Sequence, residues 1–181
     1  MEKRFPLATP KRKRLWTREV ARPLRESLED ELSQLAPGDV LVIDMKGIEA
    51  FDYSFANEFF GKSILSLPKM YSARFLIVEG LTEYTRENLK NALESLGLAM
   101  IERRNRKLEL IGKVHPADTQ TFEVITKARH GVTAAALRDA LQVNVTAVNE
   151  RLTKLANLGL VRRRTGSSPA GREQYEYSVL A

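Results

Sequence analysis

Apolar residues follow two periods along this chain, and the change of period marks where one kind of element gives way to another. Val20, Ala21, Leu24, Leu28, Leu32 and Leu35 recur at helical spacing. They predict a helix from Thr17, with Thr17 as its N-cap and Ala36-Pro-Gly-Asp39 as its stop. Pro23 either kinks this helix or sits near its true start. Val40-Leu-Val-Ile-Asp44 is a continuous apolar run rich in β-branched residues, the pattern of a buried strand. Phe51-Asp-Tyr-Ser54 leads into a second helix with Phe55, Phe59, Phe60, Ile64 and Leu65 on one face and Pro68 at its end. Residues 74–78 form another buried strand, closed by Gly80. Residues 82–96 form a third helix, with Tyr84, Leu89, Leu93 and Leu96 as its apolar positions and Gly97 as its stop. Residues 99–103 and 108–111 are two short strands around Asn105, a hairpin. Residues 4–8 suit an edge strand, since Pro6 argues against a central one. Strands alternating with helices in this way predict an α/β layer in which helices cover a small sheet.

After Gly112-Lys-Val-His-Pro116, which suits a linker, the pattern changes. Phe122, Val124, Ile125 and Ala128 define a short helix, residues 132–141 a second and residues 145–158 a third. Asn144 is placed to cap the third helix and Gly159 to end it. Residues 160–164 and 174–179 are strands around a small, polar tip, Thr165-Gly-Ser-Ser-Pro-Ala-Gly171. The domain boundary falls near residue 114, giving an α/β domain over 1–114 and a mainly helical domain with a β-hairpin over 115–181.

Composition narrows the chemistry. The 181 residues include no Cys and two His, His115 and His130. Disulfides, thiolate nucleophiles and thiolate metal sites are excluded, and neither a metal site nor a cofactor is expected. No phosphate-binding glycine loop and no Gly-x-Ser-x-Gly occurs. Asp44, Glu79 and Glu83 are the nearest approach to paired carboxylates, and Glu79-Gly80 is more simply a turn at a strand end. With no catalytic constellation, the expected protein is not an enzyme. No apolar run is long enough to span a membrane. Residues 1–15 are basic without the apolar stretch of a secretory signal, so a cytoplasmic protein is expected. Charge is uneven: residues 1–25 hold nine Lys or Arg against Glu2 and Glu19. Residues 26–114 hold 11 basic and 15 acidic residues, and residues 115–181 hold nine basic and six acidic. Basic surface attracts polyanions.

Three features of the second half agree in their spacing. They are Thr133-Ala-Ala-Ala-Leu-Arg-Asp-Ala-Leu141 with the turn to Asn144, the Val148/Leu152/Leu155 repeat, and Leu158-Gly-Leu-Val161 followed by Arg162-Arg-Arg164. Residues 117–180 resemble the winged helix-turn-helix modules of bacterial regulators of the multiple-antibiotic-resistance and arsenical-resistance types. The resemblance implies a duplex-DNA partner, with the third helix in the major groove. Val145, Thr146, Asn149, Glu150 and Thr153 would face the bases, Asn149 suiting adenine. Arg151 and Lys154 would reach phosphate from the helix margin, and Arg162, Arg163, Arg164 and Arg172 would do so from the wing. Glu150 departs from a basic recognition helix, and a winged helix used for protein contacts is the rival reading. Dimerisation is expected by the same analogy.

In the first half, Val40–Asp44 runs through a turn to Asp52, Ser54 and Ser54-Phe-Ala-Asn-Glu-Phe-Phe60. Residues 38–112 resemble the sulfate-transporter and anti-sigma-factor-antagonist (STAS) domain, most closely its STAS-like branch. The resemblance implies a partner-binding, dimerising or sensing domain. By the same carry-over Ser54 would be a switch residue phosphorylated by a partner kinase, with Asp52 its neighbour. Phe55 stands where that family has a small residue, and the simpler reading is that Ser54 or Asp52 caps the helix. Together the two halves predict a prokaryotic transcription regulator, with a phosphorylation-controlled protein-interaction switch as the alternative.

Overall fold

Pro6 and the run at Val40–Asp44 settle how the first sheet is built. In the computed structural model, β1 (Glu2–Pro6) lies at the sheet edge, in parallel register with β3 (Val40–Asp44). Proline lacks the N–H a central strand needs, so the edge accommodates it. The model describes residues 1–128, 131–167, 171 and 173–179. The chain separates into two compact units, Met1–Val114 and His115–Ala181.

In unit 1 the five-stranded sheet has the order β1-β3-β5-β6-β7. Here β5 is Phe75–Glu79, β6 Ala99–Arg104 and β7 Lys107–Gly112. All neighbours pair in parallel except β6 and β7, which form an antiparallel hairpin. Its turn residues Asn105 and Arg106 both have positive φ (49° and 64°), as a two-residue hairpin turn requires. A two-stranded parallel pair, β2 (Arg14–Leu15) with β4 (Ala50–Phe51), lies beside it. Residues of α1 (Thr17–Gln34), α2 (Tyr53–Ala56), α3 (Lys62–Met70) and α4 (Glu83–Leu96) pack on Leu41, Ile43, Leu76, Val78 and Met100 in one apolar core. The architecture is a mixed α/β unit with a mostly parallel sheet.

Three details differ from the sequence pattern. First, Thr17 is not the cap of α1 but its first residue, and Pro23 sits inside the helix. The cap is supplied from elsewhere: the Thr17 N–H donates to the Asp52 carboxylate at 3.1 Å. Second, the helix after Asp52 does not stop at Pro68. It passes through a π turn at Asn57–Gly61 and continues to Met70, with the Tyr71 N–H still reaching the Leu67 carbonyl. The extra residue of the π turn rotates the inward face. Phe55, Phe59, Phe60, Ile64 and Leu67 are therefore buried and Leu65 is exposed. The Phe59 and Phe60 rings meet edge-on at 5.0 Å, and Phe55 stacks on Phe59 at 5.4 Å. Third, Tyr84 points out of α4. By contrast, α4 ends at its expected stop, Gly97, at φ 69°, and at its start Thr82 and Thr85 exchange side-chain and backbone hydrogen bonds.

In unit 2, α5 is Pro116–Lys127, longer than the apolar spacing indicates. Pro116 occupies the first turn, where no N–H is needed, and His115 Nδ1 accepts from the Ala117 N–H. Residues 132–141 are not one helix. Val132–Thr133 form a short strand, β8, and Thr133 caps α6 (Ala134–Leu141). Then follow α7 (Val145–Asn157), β9 (Arg162–Ser167) and β10 (Glu173–Ser178). Their antiparallel sheet has the order β8-β10-β9. Phe122, Ile125, Leu137, Val148, Leu152, Leu155 and Leu160 are buried.

Candidate nucleic-acid interface

The turn between α6 and α7 sets the exposed face of α7. Gln142 takes the left-handed conformation at φ 54° and ends α6. Asn144 then starts α7, its Oδ1 accepting from the Ala147 N–H at 2.8 Å. Val148, Leu152 and Leu155 fall inward, so Val145, Thr146, Asn149, Glu150 and Thr153 lie together on the outer side, all exposed. At the other end the Leu160 N–H reaches the Leu155 carbonyl and the Gly159 N–H the Ala156 carbonyl. Gly159, at φ 71°, provides the left-handed step this closure needs.

The chain passes directly from this stop into β9. Strand alternation puts Arg162 and Arg163 on opposite faces. Arg162, expected with Arg163 and Arg164 as a wing contact, is buried at 8% exposure. Arg163 and Arg164 are exposed. Arg164 shares a face with Arg162 but lies farther out along the hairpin. The Arg163 guanidinium stacks 4.7 Å from the centre of the Tyr175 ring, which orients the cation and leaves its edge to solvent. Tyr175 was not singled out by the sequence pattern, although its alternation with Tyr177 places both on one face. Burial pushes the Tyr177 phenol up, against the opposing pull of Arg163. Glu176 stands opposite Arg164 in the strand register.

The other two expected cations are held within unit 2. Lys154 pairs with the nearly buried Asp118 of α5 at 2.5 Å, and the Arg151 guanidinium reaches Thr121 Oγ1 at 3.4 Å. The outer stripe of α7 thus carries one carboxylate and no cation, and Arg163 and Arg164 are exposed on the strand that follows α7 in the chain. Arg172 and His130 lie outside the described residues.

In unit 1, Asp52 is the residue that caps. Its Oδ1 accepts from the Phe55 N–H at 2.7 Å, and both oxygens accept from Thr17 N–H. One side chain therefore closes two helix N-termini. Ser54 is the second residue of α2 and half-buried, and Phe55 beside it is fully buried. Asp44 and Glu79 are register partners on β3 and β5. Arg4 bonds both, and Arg103 bonds Glu79 and Glu2. The acidic pair is thus a salt-bridged rim of the sheet. Among the described residues no group of three or more His, Asp or Glu could hold a metal ion. No described helix is long and apolar enough to cross a membrane.

A family model described as a STAS-like domain of unknown function (DUF4325) matches residues 20–86. The match runs from the first turns of α1 through β3, the phenylalanine-rich helix and β5 to the first turn of α4. The α/β build of unit 1 is compatible with it. No curated protein matches the chain.

Proposed function

We propose that this chain is a non-enzymatic DNA-binding protein of the transcription-regulator kind. In this reading residues 115–181 are a winged helix-turn-helix that binds duplex DNA, and the STAS-like unit binds a partner, dimerises or senses a signal. The observation that carries it is the combination on α7 and the following hairpin. Five side chains, Val145, Thr146, Asn149, Glu150 and Thr153, are exposed on one side of a capped helix, and the hairpin that follows it exposes Arg163 and Arg164. The strand order β8-β10-β9 around helices α5, α6 and α7 supports the same reading, because it is the connectivity such modules use. Asn149 offers the bidentate amide that suits adenine, and Glu150 an acceptor for a cytosine amino group. The wing cations supply phosphate or minor-groove contacts. A dimer would bring two α7 helices to successive turns of the major groove.

Anisotropy titration of the full chain on a labelled random duplex at low salt tests this. Binding that weakens steeply with salt is expected. Arg163→Ala with Arg164→Ala should lower affinity by about a hundredfold and flatten the salt dependence by roughly one to two phosphate contacts. No binding, or binding indifferent to this double change, rejects the proposal.

A further inference from the structure

Trp16, Tyr53 and Tyr84 are the largest exposed aromatic side chains of unit 1, at 44%, 51% and 57% of full exposure. They line one groove of about 440 Å³, with Phe51 buried beneath them. Tyr84, Asn88, Asn91 and Ser95 come from one face of α4. Ser95 Oγ donates to the Tyr53 hydroxyl at 3.1 Å and so ties the two walls together. An Asn88 amide proton reaches the Phe51 carbonyl. The groove therefore offers flat aromatic faces, with amide and hydroxyl groups between them that both donate and accept.

Exposed cations predominate in the chain leading into and along the start of α1, with Glu19 between Arg18 and Arg22. Lys13, Arg18 and Arg22 are exposed, and none is within ion-pair distance of a carboxylate among the described residues. Arg18 and Arg22 are one turn apart on α1, and Arg18 acts electrostatically on Tyr53. The groove's own carboxylate, Asp52, already accepts from two backbone N–H groups.

We infer that this groove binds single-stranded nucleic acid, its bases stacked on Trp16, Tyr53 and Tyr84 and its phosphates held by Lys13, Arg18 and Arg22. A ligand with a π-face, hydrogen-bonding edges and regular negative charge uses every feature at once. A proline-rich peptide would use the aromatic faces but leave the cations idle. The site is separate from the duplex interface assigned to unit 2, and it stands or falls independently of it.

Trp16 is the chain's only tryptophan, so its emission reports this groove alone. The full chain is titrated at about 50 mM salt with oligo(dT) and oligo(rU) of about 12 nucleotides, a blunt duplex of equal length, and decaproline. Saturable quenching by either single strand, weaker by the duplex and absent with decaproline, is expected; the two single-strand arms tell DNA from RNA. Trp16→Ala, followed by anisotropy of a labelled strand, and Tyr84→Ala should each weaken binding about tenfold. Arg18→Ala with Arg22→Ala should weaken it and reduce its salt dependence. Arg163→Ala with Arg164→Ala should leave the Trp16 quench unchanged. These side chains are exposed, and far-UV circular dichroism confirms that each variant folds. Absence of quenching by both single strands, or quenching by decaproline alone, overturns the inference.

Discussion

The two units treat arginine in opposite ways. In unit 1 four guanidinium groups are internal fasteners. Arg4 joins Asp44 and Glu79, Arg25 joins Glu29 and Glu58, Arg86 joins Glu102 and Glu83, and Arg103 joins Glu2 and Glu79. Each binds at least two carboxylates, and several of those carboxylates are far away in sequence. In unit 2 the described ion pairs are Arg138 with its neighbour Asp139 and Lys154 with Asp118, while Arg163 and Arg164 lie open on a hairpin. A basic count along the chain therefore does not give a basic surface. The densest run, residues 1–25, has Lys3, Arg4, Arg14 and Arg25 neutralised by the acidic middle of the chain. What it leaves open, among the described residues, is Lys11, Lys13, Arg18 and Arg22.

The sharpest way to break this contrast is to remove one buried partner in unit 1. Glu102 is 3% exposed, and Arg86 bonds it through Nε and Nη2. Glu102→Ala leaves a largely buried guanidinium with only the exposed Glu83 and the Leu81 carbonyl as partners and should cost about 3 kcal/mol. Urea unfolding followed by Trp16 emission reads the stability of unit 1 and checks it. The double change Arg163→Ala with Arg164→Ala should move the unit 2 transition, followed by circular dichroism, by less than about 0.5 kcal/mol. A large stability loss from the wing variant, or none from Glu102→Ala, would erase the distinction.

Next in size is Asp52. Asp52→Ala removes the acceptor at the start of both α1 and α2 and should cost about 2 kcal/mol, near twice an ordinary cap. Asp52→Asn, which keeps an acceptor oxygen, should recover at least half. The Ser54→Ala change should be nearly silent in the same assay. A Ser54→Ala loss as large as that of Asp52→Ala would contradict the assignment of capping to Asp52.

Acid sensitivity separates the units again. The hydrogen bond from Lys62, with help from Arg25, holds the Glu58 carboxyl below its ordinary value of 4.5 against the opposing effect of burial. Arg103 does the same for Glu2. Because the folded-state values are depressed, the stabilisation is fully present above about pH 4.5 and is lost as pH falls through the folded values. The stability of unit 1 should therefore drop on acidification below pH 4.5, and Glu58→Gln should make that slope shallower. Urea midpoints between pH 3 and 7 measure it, and an unchanged slope in the variant rules out Glu58 as a contributor.

Much of this architecture was legible from period and punctuation. The runs at residues 40–44 and 75–78 became strands because continuous β-branched apolar residues suit a central parallel sheet. Thr82, Gly97, Asn144 and Gly159 ended or began helices where their chemistry indicated. The five outer residues of α7 followed from Val148, Leu152 and Leu155 alone. What was not legible depended on tertiary partners or on one extra residue. The π turn at Asn57–Gly61 shifted the inward face past Leu65 without any local signal. Thr133 looked like part of a helix because its pairing partner, Glu176, is 43 residues away. Tyr84 looked internal because large aromatic residues usually are. Arg162 looked like its neighbours because three consecutive arginines do not reveal which one the sheet turns inward.

The smallest expected effect concerns Ser63, whose side chain lies among the apolar residues of α3. It is fully buried, and its hydroxyl has no hydrogen-bond partner among the described residues. Unlike Glu58, the other fully enclosed polar residue of this helical segment, it gains nothing from a charge. A buried hydroxyl without a partner carries its desolvation cost uncompensated. Replacing it with a methyl group of nearly the same volume removes that cost and opens almost no cavity. Ser63→Ala should thus be neutral or raise the stability of unit 1 by up to about 1 kcal/mol, where Glu58→Ala lowers it. A loss above about 1 kcal/mol in Ser63→Ala would mean that the hydroxyl is bonded in solution and that the two buried polar groups of this helix are alike after all.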